Sequence, residues 1–149
     1  MVKAEKLGVF ITSVMAFFMQ VGYPLDEIGT PYISSNTDIS VYDYTGIISI
    51  TGPLKGSVFV SAPSNLLREV LKVMQEPYTT ITLMKDLVGE IANTIAGNAR
   101  TEFGSEFIIS TPKVVDGLPP ASYLPKDRRS YIIPFRWRGM PGVIGISVT

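Results

Sequence analysis

The stretch DLVGEIANTIAGNARTEFG, residues 86–104, decides how this chain is read. Within it Asp86, Glu90, Asn93, Gly97 and Arg100 recur at steps of four, three, four and three. At about 100° per residue these positions stay within roughly 80° of one helix face. Leu87, Val88, Ile91, Ala92, Ile95 and Ala99 occupy the remaining faces. The spacing predicts a helix that buries its back and presents an acid, an amide and a gap without a side chain on its front. A polar stripe is ordinarily the solvated side of an amphipathic helix. Such sides favour Lys, Glu, Gln and Arg, whereas this one places Asn93 and Gly97, both poorer helix formers. Glycine inside a helix costs about 1 kcal/mol relative to alanine, which makes sense where another macromolecule must approach the backbone.

On both sides of this segment the chain alternates helix and strand. Asp38 to Tyr44 and Gly46 to Thr51 read as strands, and Ser57 to Ser61 follows across Gly-Pro-Leu-Lys-Gly, a hairpin signal. Pro63 and Ser64 introduce a helix to about Met74, with Leu66, Leu67, Val70, Leu71 and Met74 on one side. Thr79 or Thr80 is placed to cap the motif helix. Phe107 to Val115 and two strands around Gly139-Met-Pro-Gly complete the pattern. The expected fold is α+β, a layered single domain over residues 1–149 with a mostly antiparallel sheet covered by about three helices.

Leu7 to Leu25 carries no charge and follows Lys3 and Lys6, which gives it the outline of a signal or membrane segment. Thr12, Ser13, Gln20, Gly22 and Pro24 interrupt the apolar run, and no small-residue cleavage site stands out. Leu7, Ile11, Val14, Phe18 and Val21 form a helical stripe instead. The expectation is a core helix, with Phe10, Met15 and Phe17 widening its apolar face toward a sheet or a partner subunit.

Composition narrows the chemistry. Of 149 residues, 13 are basic and 13 acidic, with no dense run of either sign. Nucleic-acid binding is disfavoured, because neutralising phosphates needs a clustered positive surface. Lys126, Arg128, Arg129, Arg136 and Arg138 are the local exceptions, a small basic edge at most. Cysteine and histidine are both absent. That removes thiolate and imidazole nucleophiles, the usual zinc ligands and any disulfide. Chemistry is left to carboxylates, amides, hydroxyls or a partner's own groups.

The pattern Asp86, Glu90, Asn93, followed by Gly97-Asn98, resembles the active-site helix of the CheC/CheX/FliY phosphatase family of bacterial chemotaxis. The likeness extends to the hairpin bounded by Gly52 and Gly56, the helix ending in Met74, Pro112 after the motif helix, and the closing YIIPF and GVIGISV pair. The chain is most similar to the CheX branch, being short with a single motif. Its first helix has no Glu followed three residues on by Asn, so the second site of CheC-type members is expected to be missing.

The resemblance implies a substrate: the phosphoryl-aspartate of a CheY-like response-regulator receiver. Such a receiver brings its own magnesium ion and lysine, so this chain needs no cofactor or metal of its own. Catalysis would fall to Glu90, pairing with the receiver's lysine, and to Asn93, positioning a water. Gly97 would allow close approach, while Asp86 and Asn98 would support the helix or contact the partner. Asp86 also suits the first turns of a helix electrostatically, whatever its function, and Asn98 projects away from the stripe, where it can meet a strand end. The family also implies a cytoplasmic homodimer without membrane or nucleic-acid partners. A non-catalytic module that binds a receiver or a flagellar or sensory assembly is the alternative, and a membrane-associated signalling subunit a third.

Overall fold

The computed structural model describes residues 7–53 and 55–148; Lys3, Lys6 and Leu54 of the hairpin turn lie outside the described residues. In chain order the elements are α1 (Leu7–Val21), β1 (Glu27–Ile28), β2 (Tyr32–Ser35), β3 (Tyr44–Thr51), β4 (Gly56–Ala62) and α2 (Ser64–Val73). They continue with α3 (Ile81–Phe103), β5 (Ile108–Ile109), β6 (Lys113–Asp116), β7 (Arg129–Trp137) and β8 (Met140–Val148).

The strands form one sheet in which every pairing is antiparallel. Its centre runs β7-β8-β4-β3; β1 and β2 share the outer side of β7, and β5 and β6 share the outer side of β3. The two-residue period of a strand sorts the side chains. Ile48, Ile50, Val58, Val60, Ile133, Phe135, Trp137, Ile144 and Ile146 face the three helices and form the main core with them. From α1 come Leu7, Phe10, Val14 and Phe18, all buried. The Phe18 ring sits 5.7 Å from Phe135 and 5.3 Å from Trp137. The Trp137 indole N–H donates to the Tyr23 carbonyl at 2.8 Å.

The opposite face is also covered, by irregular chain. Ile47, Phe59, Ile132 and Val143 form a second cluster with Leu124, flanked by Ile39, Val41, Tyr42 and Tyr123. Buried hydroxyls fasten these segments: Thr45 Oγ1 donates to the Gly117 carbonyl at 2.6 Å, and Ser130 Oγ to Asn36 Oδ1 at 2.6 Å.

Several sequence expectations need correction. Asp38 to Asp43 is not a strand. Its apolar residues Ile39 and Val41 pack on the second face, and the Tyr42 N–H is donated to Ser61 Oγ at 2.8 Å instead of entering a ladder. Phe107 to Val115 is two short strands, with Pro112 in the break between them and on neither. Between α1 and β3 the chain adds β1 and β2, separated where Pro134 lacks an N–H to offer and where a Cβ on Gly29 would come within 2.7 Å of the proline ring. Met15 points outward, 51% exposed, and does not widen the apolar face of α1.

Candidate functional site

Helix α3 starts where Thr80 Oγ1 accepts the Leu83 N–H at 3.2 Å, so the cap falls on the second of the two threonines. It ends at Gly104, whose φ of 128° suits glycine. Met84, Leu87, Val88, Ile91, Ala92, Ile95, Ala96 and Ala99 are buried along its back. Two glycines set how closely it sits. A Cβ on Gly46 of β3 would lie 2.5 Å from the Val88 carbonyl oxygen, and one on Gly89 would lie 3.1 Å from Val114 Cγ2 and 3.5 Å from Pro112 Cβ. Pro112 therefore walls one side of the helix, next to the polar stripe. Lys85 adds an ion pair to Asp116 at 3.1 Å, with its ammonium 5.6 Å from the centre of the Tyr44 ring.

The stripe itself faces out. Asp86 and Glu90 are exposed, while Asn93 and Gly97 are half-buried. Glu90 and Asn93 are one turn apart, about 4.5 Å along the axis. Neither of these side chains, nor that of Asp86, forms a hydrogen bond or ion pair among the described residues. A Cβ on Gly97 would meet nothing within 4 Å, so no packing among the described residues requires glycine there. A carboxylate and a carboxamide are thus held on a rigid helix with their polar atoms uncommitted, beside a stretch of bare backbone.

Two stripe-associated residues behave differently. The Arg100 guanidinium donates to the Phe107 carbonyl at 2.6 Å and the Ser105 carbonyl at 3.1 Å, holding the turn into β5. Asn98 is exposed and forms no hydrogen bond among the described residues. It lines a groove of about 540 Å³ between α3 and α1, with Gly8, Thr12, Ser13, Ala16 and Glu102 among the other walls. Sequence reasoning passed over this groove, because nothing in a linear pattern couples positions that far apart.

The basic residues form no single edge. Arg136 pairs with Glu27 at 3.6 Å, and Arg138 pairs with Glu69 at 3.1 Å while stacking 4.3 Å from the Tyr23 ring. Arg129 begins the same strand, about 23 Å away at ordinary strand rise. Among the described residues no group of acidic side chains is arranged to hold a metal ion, and no helix is long and apolar enough to cross a membrane. Helix α1 carries neither Glu nor Asn.

The family model described as chemotaxis phosphatase CheX matches residues 44–136, a span that contains α3 and its seat on β3 and β6. The chain belongs to the CheX family. No curated protein matches the sequence. Among solved structures, a CheC-like superfamily protein from a Shewanella species is 26% identical with a TM-score of 0.82, covering 99% of each chain. The chemotaxis protein CheX from Desulfovibrio desulfuricans is 25% identical with a TM-score of 0.82, over 97% of this chain and 99% of that one. A chain of the CheX-CheY-BeF3-Mg complex from Borrelia burgdorferi shares the fold with a TM-score of 0.77 at 19% identity, over 98% and 99%. The three-helix, antiparallel-sheet architecture is that of CheC/CheX-like proteins.

Proposed function

We propose that this CheX-family chain is a phosphatase that hydrolyses the phosphoryl-aspartate of a CheY-like receiver in chemotaxis or a related two-component circuit. The observation that carries the reading is the Glu90–Asn93 pair: one turn apart on a firmly seated helix, facing out, and without partners among the described residues. That the Borrelia relative was crystallised with CheY, beryllofluoride and magnesium supports the choice of partner.

The reaction needs little covalent equipment from this chain. Water attacks phosphorus, the new O–P bond forms, and the acyl P–O bond breaks to leave the receiver's aspartate carboxylate and inorganic phosphate. Phosphoryl transfer of this kind is governed by positioning and charge. The receiver, as substrate, brings the magnesium ion that neutralises the phosphoryl oxygens. Asn93 supplies the water's position: its Oδ1 accepts a hydrogen bond from the water while its Nδ2–H donates to a phosphoryl oxygen. Glu90 pairs with the receiver's lysine and fixes the register of the two proteins. Gly97 permits close contact, and Asp86 extends the acidic side of the footprint. A cytoplasmic location follows from that substrate, and family membership favours a homodimer, which light scattering tests against the monomer mass of 16.3 kDa.

The test is the decay of magnesium-loaded phosphorylated receivers, several being tried, with wild-type protein, Glu90→Ala and Asn93→Ala. Faster decay that disappears with Asn93→Ala supports a phosphatase. Binding without any acceleration by the wild type leaves a non-catalytic receiver-binding module.

A further inference from the structure

The outer strand beside α3 carries one residue more than its partner. Ile47 of β3 pairs with Lys113 and Ile50 pairs with Ile109, so Ile48 and Ser49 stand opposite three residues, Ser110, Thr111 and Pro112. An extra residue on one strand is a β-bulge, a device that re-aims side chains and recurs next to active sites. This one is fastened to β3. The Ser110 N–H donates to the Ser49 carbonyl at 2.9 Å, and the Ser110 hydroxyl accepts the Ser49 N–H at 2.9 Å in place of a backbone carbonyl. A bulge leaves a residue outside the ladder, where a proline's missing N–H is no loss.

The bulge lies along the edge of α3 that carries Asn93. The chain from Asp116 back to Phe107 runs beside α3 in reverse: Asp116 pairs with Lys85, Val114 and Pro112 lie against Gly89, and the Phe107 carbonyl accepts from Arg100. Asn93 stands between the last two ties, within about 40° of both Gly89 and Arg100 around the helix. A helical side chain leans toward the N-terminus, over the residue four before it. For Asn93 that residue is Gly89, which offers nothing to lean on, and Ala96 and Gly97 on the other side offer at most a methyl. Asn93 is nevertheless half-buried, without a hydrogen bond among the described residues. Its cover comes from beyond the helix, at the level of Pro112.

We infer that Pro112 is a positioning residue for Asn93, and that Gly89 is bare so that the proline ring can come close enough to act. This rests on the phosphatase reading above. An asparagine in a helix keeps two of its three χ1 wells and a broad χ2. The ring closes the part of that range facing β5 and β6 and holds the carboxamide toward the open front of α3, where the water and a phosphoryl oxygen would lie. Pro112 touches neither of them. It acts through Asn93, by removing beforehand the rotational freedom that reaching the attack geometry would otherwise cost.

Two measurements on the full chain test this. The first is NMR relaxation of the Asn93 side-chain amide, whose order parameter should exceed about 0.6 in the wild type and fall below that in Pro112→Gly. The second is steady-state hydrolysis of magnesium-loaded phosphorylated receivers. Pro112→Gly should lower kcat about tenfold with KM within about twofold, and Pro112→Val, which restores the bulk, should recover most of the rate. Added to Asn93→Ala, Pro112→Gly should cost nothing further, because residues that act as a unit are not additive. Pro112 is exposed, so its truncation empties no core, and thermal unfolding verifies each fold. Pro112→Ala is read in the same way if the glycine variant unfolds. An amide already mobile in the wild type, or equally ordered in both proteins, overturns the inference whatever the hydrolysis shows. So does a further loss of rate in the double variant, or a raised KM at constant kcat. A wild type that dephosphorylates no receiver overturns the phosphatase reading and the ring's catalytic role with it, while the order parameter still reports whether the ring holds the amide.

Discussion

Gly46 of β3 lies so close under Val88 of α3 that a Cβ there would come within 2.5 Å of the Val88 carbonyl oxygen. Strand and helix meet backbone to backbone at the level of the candidate site. Gly46→Ala is expected to push the helix off the sheet and lower stability by about 1–3 kcal/mol, the usual cost of overpacking. A chemical-denaturation midpoint equal to wild type would show that the contact is looser than described.

Gly97→Ala has the opposite sign. With nothing within 4 Å of the new methyl, the variant should gain up to about 1 kcal/mol from helix propensity. It should at the same time weaken receiver binding about tenfold by standing between the two backbones. Titration calorimetry and thermal unfolding on the same sample read both effects. A more stable protein with undiminished binding would remove Gly97 from the docking face.

Asn93→Ala removes a side chain with no partner among the described residues. Stability should stay within about 0.5 kcal/mol of wild type, as for surface substitutions, while hydrolysis falls on the order of 100-fold. Affinity for a beryllofluoride-loaded receiver should persist. Loss of affinity and rate together would mean that Asn93 binds the partner without positioning the water.

Arg100→Met keeps the apolar stem but deletes two hydrogen bonds, to Phe107 at 2.6 Å and Ser105 at 3.1 Å. About 1 kcal/mol of stability should be lost. Amides of residues 104–108 should exchange faster, with the hydrolysis rate retained. Hydrogen exchange followed by mass spectrometry measures the first, and a lowered rate would return Arg100 to the stripe's chemistry.

The amphipathic spacing of residues 86–104 correctly anticipated which side of α3 is buried, and the turn signals located the β3–β4 hairpin. These readings succeed because burial follows local periodicity when an element is long. Asp38 to Asp43 misled for the same reason in reverse: Ile39 and Val41 alternate like a strand, but what they bury against is the far side of the sheet, while Ser61 takes the Tyr42 N–H. At two and four residues, β1 and β2 are too short to show a period, and their separation is dictated by Pro134, more than a hundred positions away. At the site, the shared face of Glu90 and Asn93 was legible from spacing alone. The use of Arg100 as a turn anchor and the α1–α3 groove beside Asn98 depend on tertiary neighbours.

Contact with Gly46 below and with Pro112 beside grips α3 at Val88 and Gly89, about a third of the way along its 23 residues. A helix about 35 Å long flexes most at its ends. That seat lies one residue before Glu90 and about 6 Å along the axis from Asn93. The carboxylate and carboxamide therefore stand within about a turn of the place where helix and sheet meet backbone to backbone. A close backbone seat at that place fixes the height of both groups above the sheet, so the spacing that an attacking water would need is set by the fold before any partner arrives.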